Sequence, residues 1–200
     1  MKHSRRLASI AMVLGLIATV RAQLGPDDAR RSMVLGDEGL QVELVASEPL
    51  VESPCAMAFD DRGMLFVAEN RGYPHRTEPP AGRIAVLEDT DGDGRMDKRT
   101  TFAEGLTFPN GVLPWKGGLI VTCAPDVVFL KDTDGDGDAD ERKVLLTGFD
   151  TKGSTQPRAI APTHGPDGWI WFAAGLSGGA ITSPPHPERP AVKMTGDIRW

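Results

Sequence analysis

The chain has 200 residues, with 22 Lys and Arg against 28 Asp and Glu, which gives a formal net charge of −6. This acidic balance argues against nucleic acid and against an anionic membrane surface as the main partner. The hydrophobic content of 40% excludes a wholly disordered chain. The 23 Gly and 16 Pro make up a fifth of the residues, above the roughly 12% of an average chain, and indicate a turn-rich, all-β protein.

The first 22 residues have the pattern of an export signal. Lys2, Arg5 and Arg6 precede an apolar stretch from Leu7 to Val20, and Ala22 ends a small-residue cleavage pattern. The stretch is short for a transmembrane helix but fits the apolar region of a signal peptide. An uncleaved N-terminal anchor is the alternative. We therefore expect a periplasmic or extracellular protein, membrane-associated if the anchor is retained, whose mature chain carries a net charge of −10.

The rest of the chain divides into a linker and a β domain. Residues 23–38 are polar and without pattern, which predicts a linker, and residues 39–200 form the predicted domain. Three strands are predicted first, over Leu40–Val45 by alternation and over Met64–Ala68 and Arg83–Leu87 by continuous apolar runs. No segment after residue 39 has a 3.6-residue apolar period, so almost no helix is expected.

Similar hairpins recur along this domain. Segments 56–67, 110–121 and 159–172 each contain an apolar strand, a Gly-containing turn and a second apolar strand. Short strands that repeat every 50 or so residues favour a β-propeller. We expect six blades in the complete ring, of which residues 39–200 supply about three, so that the chain is an N-terminal fragment. An irregular β-sandwich is the alternative.

Two Asp-rich loops repeat with an offset of 43 residues. Their carboxylates are Asp89, Asp91, Asp93 and Asp97 in the first copy and Asp132, Asp134, Asp136, Asp138 and Asp140 in the second. The spacing is that of an EF-hand-type calcium loop, in which Gly94 or Gly137 permits the sharp turn. Position 12 is Thr100 or Lys143 instead of Glu, so we predict weak structural calcium sites with dissociation constants of about 10⁻⁴–10⁻³ M. Solvated Asp-Gly turns are the alternative.

The two cysteines, Cys55 and Cys123, leave two alternatives open. A disulfide between them is compatible with an oxidising compartment, whereas two small buried thiols would serve only packing. The sequence contains no CxxC or CxxCH motif, and therefore no zinc ribbon and no c-type haem site.

Polar residues that follow the apolar inner strands are the candidates for a ligand site, because propellers bind ligands at the central channel. The candidates for cofactor binding are Glu69, Asn70, Arg71, Asn110 and Asp126, and those for catalysis are His164 and Arg158. His164 would act as a general base near neutral pH, and Arg158 would clamp a carboxylate or quinone oxygen. Each is alternatively a loop residue that satisfies backbone groups. Ser177 lies in a GxSxG motif without the helix that a nucleophile elbow requires.

Residues 67–74, 121–137 and 178–184 resemble the N-terminal domain of the planctomycete/verrucomicrobial membrane-bound dehydrogenases. That family is similar to the β-propellers of the pyrroloquinoline-quinone (PQQ)-dependent glucose/sorbosone dehydrogenases. The resemblance covers residues 39–200. It implies that a sugar or alcohol substrate transfers a hydride to PQQ while a His takes the hydroxyl proton, with a c-type cytochrome as electron acceptor in the full-length protein.

The sequence departs from this family in two respects. Its blades are too few to close a cofactor site, and it has no haem motif, so we expect the chain by itself to be inactive. A non-catalytic, calcium-stabilised propeller that serves as a binding or scaffold module at the cell surface is the competing interpretation.

Overall fold

The computed structural model describes residues 23–74, 79–152, 158–175 and 178–194. The export signal predicted for residues 1–22, and Ser177, lie outside these ranges. No helix in the described ranges is long and apolar enough to cross a membrane. The chain divides into two compact units, Met1–Glu43 and Leu44–Trp200.

The first unit contains one short helix, α1 (Pro26–Arg31), within the segment predicted as a linker. Pro26 occupies the start of the helix, where its missing N–H costs nothing. Acidic residues lie in the first turn and basic residues in the last, as the helix dipole favours. None of its residues is buried. The proline and the charged residues at its two ends favour the helix locally, and it lacks the apolar periodicity from which a helix is predicted.

The second unit is built of antiparallel strands, and the all-β prediction is confirmed. Strands β1 to β4 form one meander, and β5 to β8 form a second one of the same order. The strands are β1 (Pro54–Phe59), β2 (Leu65–Glu69), β3 (Gly82–Glu88), β4 (Lys98–Leu106), β5 (Gly111–Trp115), β6 (Gly118–Cys123), β7 (Asp126–Lys131), β8 (Glu141–Phe149), β9 (Ile160–His164), β10 (Ile170–Ala173), β11 (Gly179–Thr182) and β12 (Val192–Met194).

The first strands of successive sheets lie side by side, as the inner strands of propeller blades do. Strand β1 contacts β5, and β5 contacts β9, which pairs with β10 in a hairpin. The β-propeller prediction of about three blades is therefore confirmed. The described residues give a four-stranded sheet, a six-stranded sheet and one hairpin in the third position, because β11 pairs with β8 and not with β10.

Two glycines permit this pairing of β8 with β11. Gly148 has φ +97° and Gly179 has φ +142°, both in the region that side chains rarely adopt. A Cβ atom on Gly148 would collide with the carbonyl oxygen of Ala180, and one on Gly179 with that of Gly148. The two backbones thus approach more closely than any other residue type would allow.

The strand predicted over Leu40–Val45 is wrong. These residues form no ladder, although the backbone N–H of Met96 donates to the carbonyl of Val45 at 2.8 Å. Val42 and Leu44 are half-buried, whereas Gln41 and Glu43 are exposed. The alternation of apolar and polar residues therefore indicates that one side of this segment is buried, but it does not indicate that the segment pairs with another strand.

The strands predicted over Met64–Ala68 and Arg83–Leu87 are confirmed as β2 and β3, and they supply the core between the two sheets. Phe66 and Phe102 meet there edge to face, with ring centroids 5.2 Å apart.

The meander order places the connections between strands at two ends of the sheets. The turn end carries the β1–β2, β5–β6, β9–β10 and β11–β12 connections and the two Asp-rich loops, and the loop end carries the remaining connections.

Candidate functional site

Three connections meet at the loop end, where they bring together predicted and unpredicted residues. Asn70 and Tyr73 follow β2, Phe108 and Asn110 precede β5, and Arg158 precedes β9. Because β1, β5 and β9 are neighbouring inner strands, their loop ends face one another. The side chains of this cluster therefore lie at the mouth of the predicted channel.

Arg158 is the buried cation of this cluster. Its side chain is 4% exposed, and its Nη2 donates to the carbonyl of Thr151 at 3.0 Å. Within the described ranges, the Nε and Nη1 atoms have no hydrogen-bond partner. Burial lowers the pKa of Arg158, and the charge of Asp150 opposes that change. Unpaired buried donors cost free energy, roughly 1–3 kcal/mol each, so this arrangement favours a ligand that accepts from them.

Phe108 holds the guanidinium group in place. The Arg158 Cζ lies 4.6 Å from the Phe108 ring centroid, and Tyr73 meets the same ring edge to face with centroids 6.5 Å apart. Phe108 has φ +47° and is 1% exposed, a strained conformation for an aromatic residue. The sequence alone did not identify Phe108 as a site residue, although its position directly before Pro109 indicates a restricted backbone conformation.

The two asparagines of the cluster have different roles. With its amide nitrogen turned toward β9, Asn110 donates to the carbonyl of Ala159 at 2.6 Å and to the Thr122 hydroxyl at 3.1 Å. Asn110 therefore joins two connections. The Oδ1 atom of Asn70 is buried without a partner, so the site offers an acceptor as well as the donors of Arg158.

Glu69 is fully buried but belongs to a structural ion-pair network. Its Oε1 accepts from the Glu52 backbone N–H at 2.7 Å, and its Oε2 contacts Arg83 Nε and lies 3.1 Å from Arg99 Nη2. Burial by itself would raise the pKa of Glu69, but these hydrogen bonds and the two cationic charges together hold it below its ordinary value. Both oxygens are thus engaged, and sequence reasoning did not foresee the partners.

Arg71 and Asp126, also predicted to bind a cofactor, lie at the loop end with protein partners of their own. Arg71 Nε is 2.9 Å from Glu52 Oε2, and Asp126 Oδ1 accepts from the Thr147 hydroxyl at 2.6 Å. Both contacts stabilise connections around the cluster.

The two residues predicted to act together in catalysis lie at opposite ends of β9. Arg158 precedes the strand, and His164 is its last residue, exposed beside the turn to β10. Six residues of extended chain separate their backbones by about 20 Å. The structure therefore places Arg158 at the loop end and His164 at the turn end.

The Asp-rich loops lie at the turn end, between β3 and β4 and between β7 and β8. Carboxylate oxygens of three residues come within 4.8 Å of one another in each loop. These residues are Asp89, Asp91 and Asp97 in the first loop and Asp132, Asp134 and Asp136 in the second. Asp93, Asp138 and Asp140 lie outside the two groups, and Asp140 accepts from the Thr133 hydroxyl at 2.8 Å.

The first carboxylate of each loop orders the backbone around it. Asp89 accepts from the N–H groups of Gly92 and Gly94 at 2.7 and 2.9 Å. Asp132 accepts from Gly135 and Gly137 in the same way, at 2.6 and 2.9 Å. The Gly94 N–H chiefly lowers the pKa of Asp89, and the Gly135 N–H that of Asp132. Each loop thus keeps its leading carboxylate ionised, as a cation ligand must be.

Both cysteines are free thiols in the structure. Cys123 is buried, and Cys55 Sγ donates to the Pro109 carbonyl at 2.9 Å. Burial raises the pKa of Cys55 to about 11 and that of Cys123 to about 12. Neither thiol has the thiolate character of a reactive cysteine.

Comparisons with known proteins give a family and similar solved structures. No curated protein matches the sequence significantly. The crystal structure of an assigned oxidoreductase (glucose dehydrogenase) from Thermus thermophilus is similar, with 22% identity and a TM-score of 0.45. The similarity covers 63% of this chain and 38% of that one, so the chain spans well under half the length of that protein. Residues 25–200 match the family described as Domain of unknown function (DUF7133), and the chain belongs to that family.

Proposed function

We propose that this chain is a dehydrogenase-like β-propeller domain that binds a quinone cofactor at its loop end and oxidises a sugar or alcohol. The observation that carries the proposal is Arg158, 4% exposed, with two donors that have no partner among the residues that the structure describes. The resemblance of residues 39–200 to PQQ-dependent dehydrogenases supplies the class of cofactor.

The residues of the cluster suit such a cofactor. PQQ carries carboxylates and quinone oxygens, which are acceptors for the free Nε–H and Nη1–H of Arg158. Asn70 Oδ1 would accept from a ring N–H or a substrate hydroxyl. Phe108 fixes the guanidinium plane, which reduces the entropy lost on binding. When bound, the quinone supplies the hydride-accepting chemistry.

The proposal leaves His164 out of this site, because it lies at the other end of β9. That separation is the observation that favours the second candidate, a non-catalytic propeller that binds a partner at the cell surface. Both candidates place the protein in the periplasm or outside the cell, where the catalytic form would pass electrons to a c-type cytochrome.

We also propose that calcium occupies the two Asp-rich loops. Three converging carboxylates in each loop offer hard oxygen ligands, and their mutual repulsion is relieved by a divalent cation. Lys143, at position 12 of the second loop, is paired with Glu141 and adds no oxygen ligand. The ions would stabilise the turn end and take no part in the chemistry of the loop end.

Titration of PQQ into the full chain, followed by quenching of Trp fluorescence, tests the cofactor site. Arg158→Leu keeps an apolar contact with Phe108 and should weaken PQQ binding by about tenfold or more, since a charged hydrogen bond is lost. Arg189→Leu, at an exposed Arg, is the matched control. Absence of PQQ binding both by this chain and by a protein that carries the complete ring would reject the cofactor proposal. Reduction of a dye or of a c-type cytochrome by sugars, measured on the protein with the complete ring, then separates the dehydrogenase from the scaffold.

A further inference from the structure

A large cleft lies at the turn end, between the first and second sheets. Its volume is about 880 Å³, within the range of ligand-binding clefts. The β1–β2 turn, the β5–β6 turn and the second Asp-rich loop line it. The Ala139 N–H at the end of that loop donates to the Phe102 carbonyl at 2.8 Å, which fixes the wall of the cleft to the first sheet. The cleft is therefore a formed feature, remote from Arg158.

Aromatic and apolar side chains form the floor of the cleft. Phe59 is 56% exposed although it ends an inner strand, and Met64 and Trp115 are half-buried beside it. Trp115 is held firmly, since Phe129 meets it edge to face at 5.7 Å and Lys116 Nζ lies 4.3 Å from its ring centroid. A rigid, partly open aromatic floor loses little entropy when a ligand stacks on it.

Four of the charged groups on the rim form two ion pairs. Arg62 Nη2 lies 2.9 Å from Asp60 Oδ2, and Lys98 Nζ lies 2.8 Å from Glu88 Oε1. An anionic ligand would therefore have to break one of these pairs, and the three further carboxylates that line the cleft would repel it. The paired groups retain donor protons and lone pairs, so they can still form hydrogen bonds with an uncharged ligand.

We propose that this cleft binds a neutral oligosaccharide. The C–H faces of sugar rings stack on aromatic side chains, and their hydroxyls bridge donors and acceptors of the kind that Arg62, Asp60 and Lys98 present. The second Asp-rich loop forms one wall of the cleft. The volume of about 880 Å³ suits a chain of sugars better than a single one. This site involves no cofactor and stands independently of the proposed dehydrogenase activity.

Isothermal titration of the full chain with cellopentaose, xylopentaose, laminaripentaose and maltopentaose tests the proposal, with an oligogalacturonate as the charged comparison. We expect saturable binding of at least one neutral pentasaccharide. Phe59→Ala and Trp115→Ala should weaken it about tenfold or more through loss of stacking. Trp169→Ala is the matched control, because Trp169 is 70% exposed and lies outside the cleft.

The outcomes separate cleanly. If no neutral pentasaccharide binds, if the oligogalacturonate binds more tightly than all of them, or if Trp169→Ala weakens binding as much as Phe59→Ala does, the proposal is overturned. Trp115 also packs against the second sheet, so circular dichroism accompanies its variant. Phe59→Ala, at an exposed side chain, decides the matter should Trp115→Ala fail to fold. Because the titration contains no quinone, its result is independent of the cofactor proposal.

Discussion

The ion-pair network around Glu69 is expected to be a major source of stability for the first sheet. Glu69→Gln keeps the shape of the side chain and an acceptor for the Glu52 N–H, but turns the partner of Arg83 and Arg99 into an uncharged amide. The largely buried Arg99 then loses its counter-charge, and Arg83 keeps only Glu52, whose Oε2 lies 3.4 Å from its Nη2. Removing one partner of a buried ion pair costs about 3–5 kcal/mol, and we expect a loss of that size in the free energy of unfolding.

Guanidinium-chloride denaturation of the unmodified chain and the variant measures this loss, and Glu104→Gln, at an exposed position on β4 of the same sheet, is the control. The pH dependence adds a second check. The folded pKa of Glu69 is lowered, so its contribution is present above the unfolded pKa and is lost as pH falls through the folded value. The variant should therefore show a flatter acid limb. A loss below about 1 kcal/mol, equal to that of the control, would refute the reasoning.

Three further predictions concern other parts of the molecule. Calcium at ten times its dissociation constant should stabilise the fold by about 1.4 kcal/mol per site and so raise its Tm. Asp91→Asn and Asp134→Asn should each reduce this rise in Tm, whereas the control Asp61→Asn should not. An unchanged Tm after addition of calcium would reject the sites. Phe66→Ala should cost about 3–5 kcal/mol in denaturant melts because it empties the core between the sheets, against less than about 0.5 kcal/mol for exposed Met57→Ala. Cys123 should resist iodoacetamide at pH 8 in the native protein, since burial raises its pKa to about 12, and should react in guanidinium chloride; rapid native labelling would contradict its burial.

The sequence predicts the parts of the fold that depend on neighbouring residues. The apolar runs of β2 and β3 and the glycines of the turns specify hairpins locally, and the spacing of the Asp residues specifies the loops. The alternation over Leu40–Val45 predicts a strand that does not form, because alternation reports burial of one side but not the presence of a partner strand. The pairing of β8 with β11 depends on the contact of Gly148 with Gly179, which are 31 residues apart, and no local signal reveals it.

The same contrast between local signals and contacts of distant residues applies to the candidate site. Position next to a predicted strand directs attention to Asn70 and Arg158, but it cannot say which side chains are already paired. Glu69 fits the same rule, yet distant Arg99 engages it. His164 lies at the turn end because strand direction decides which end of the sheet a residue reaches, and a list of residues next to strands does not contain that information. Phe108 contributes through burial, which its surrounding sequence does not indicate.

The meander order of the sheets has a consequence for how the protein can change. The strands join the connections at one end to those at the other, and substitutions that share no partners generally have additive effects on stability. Loops at either end could therefore lengthen, shorten or exchange residues without disturbing the opposite one. A scaffold of this kind allows ligand recognition to diversify at one pole while stability is maintained at the other.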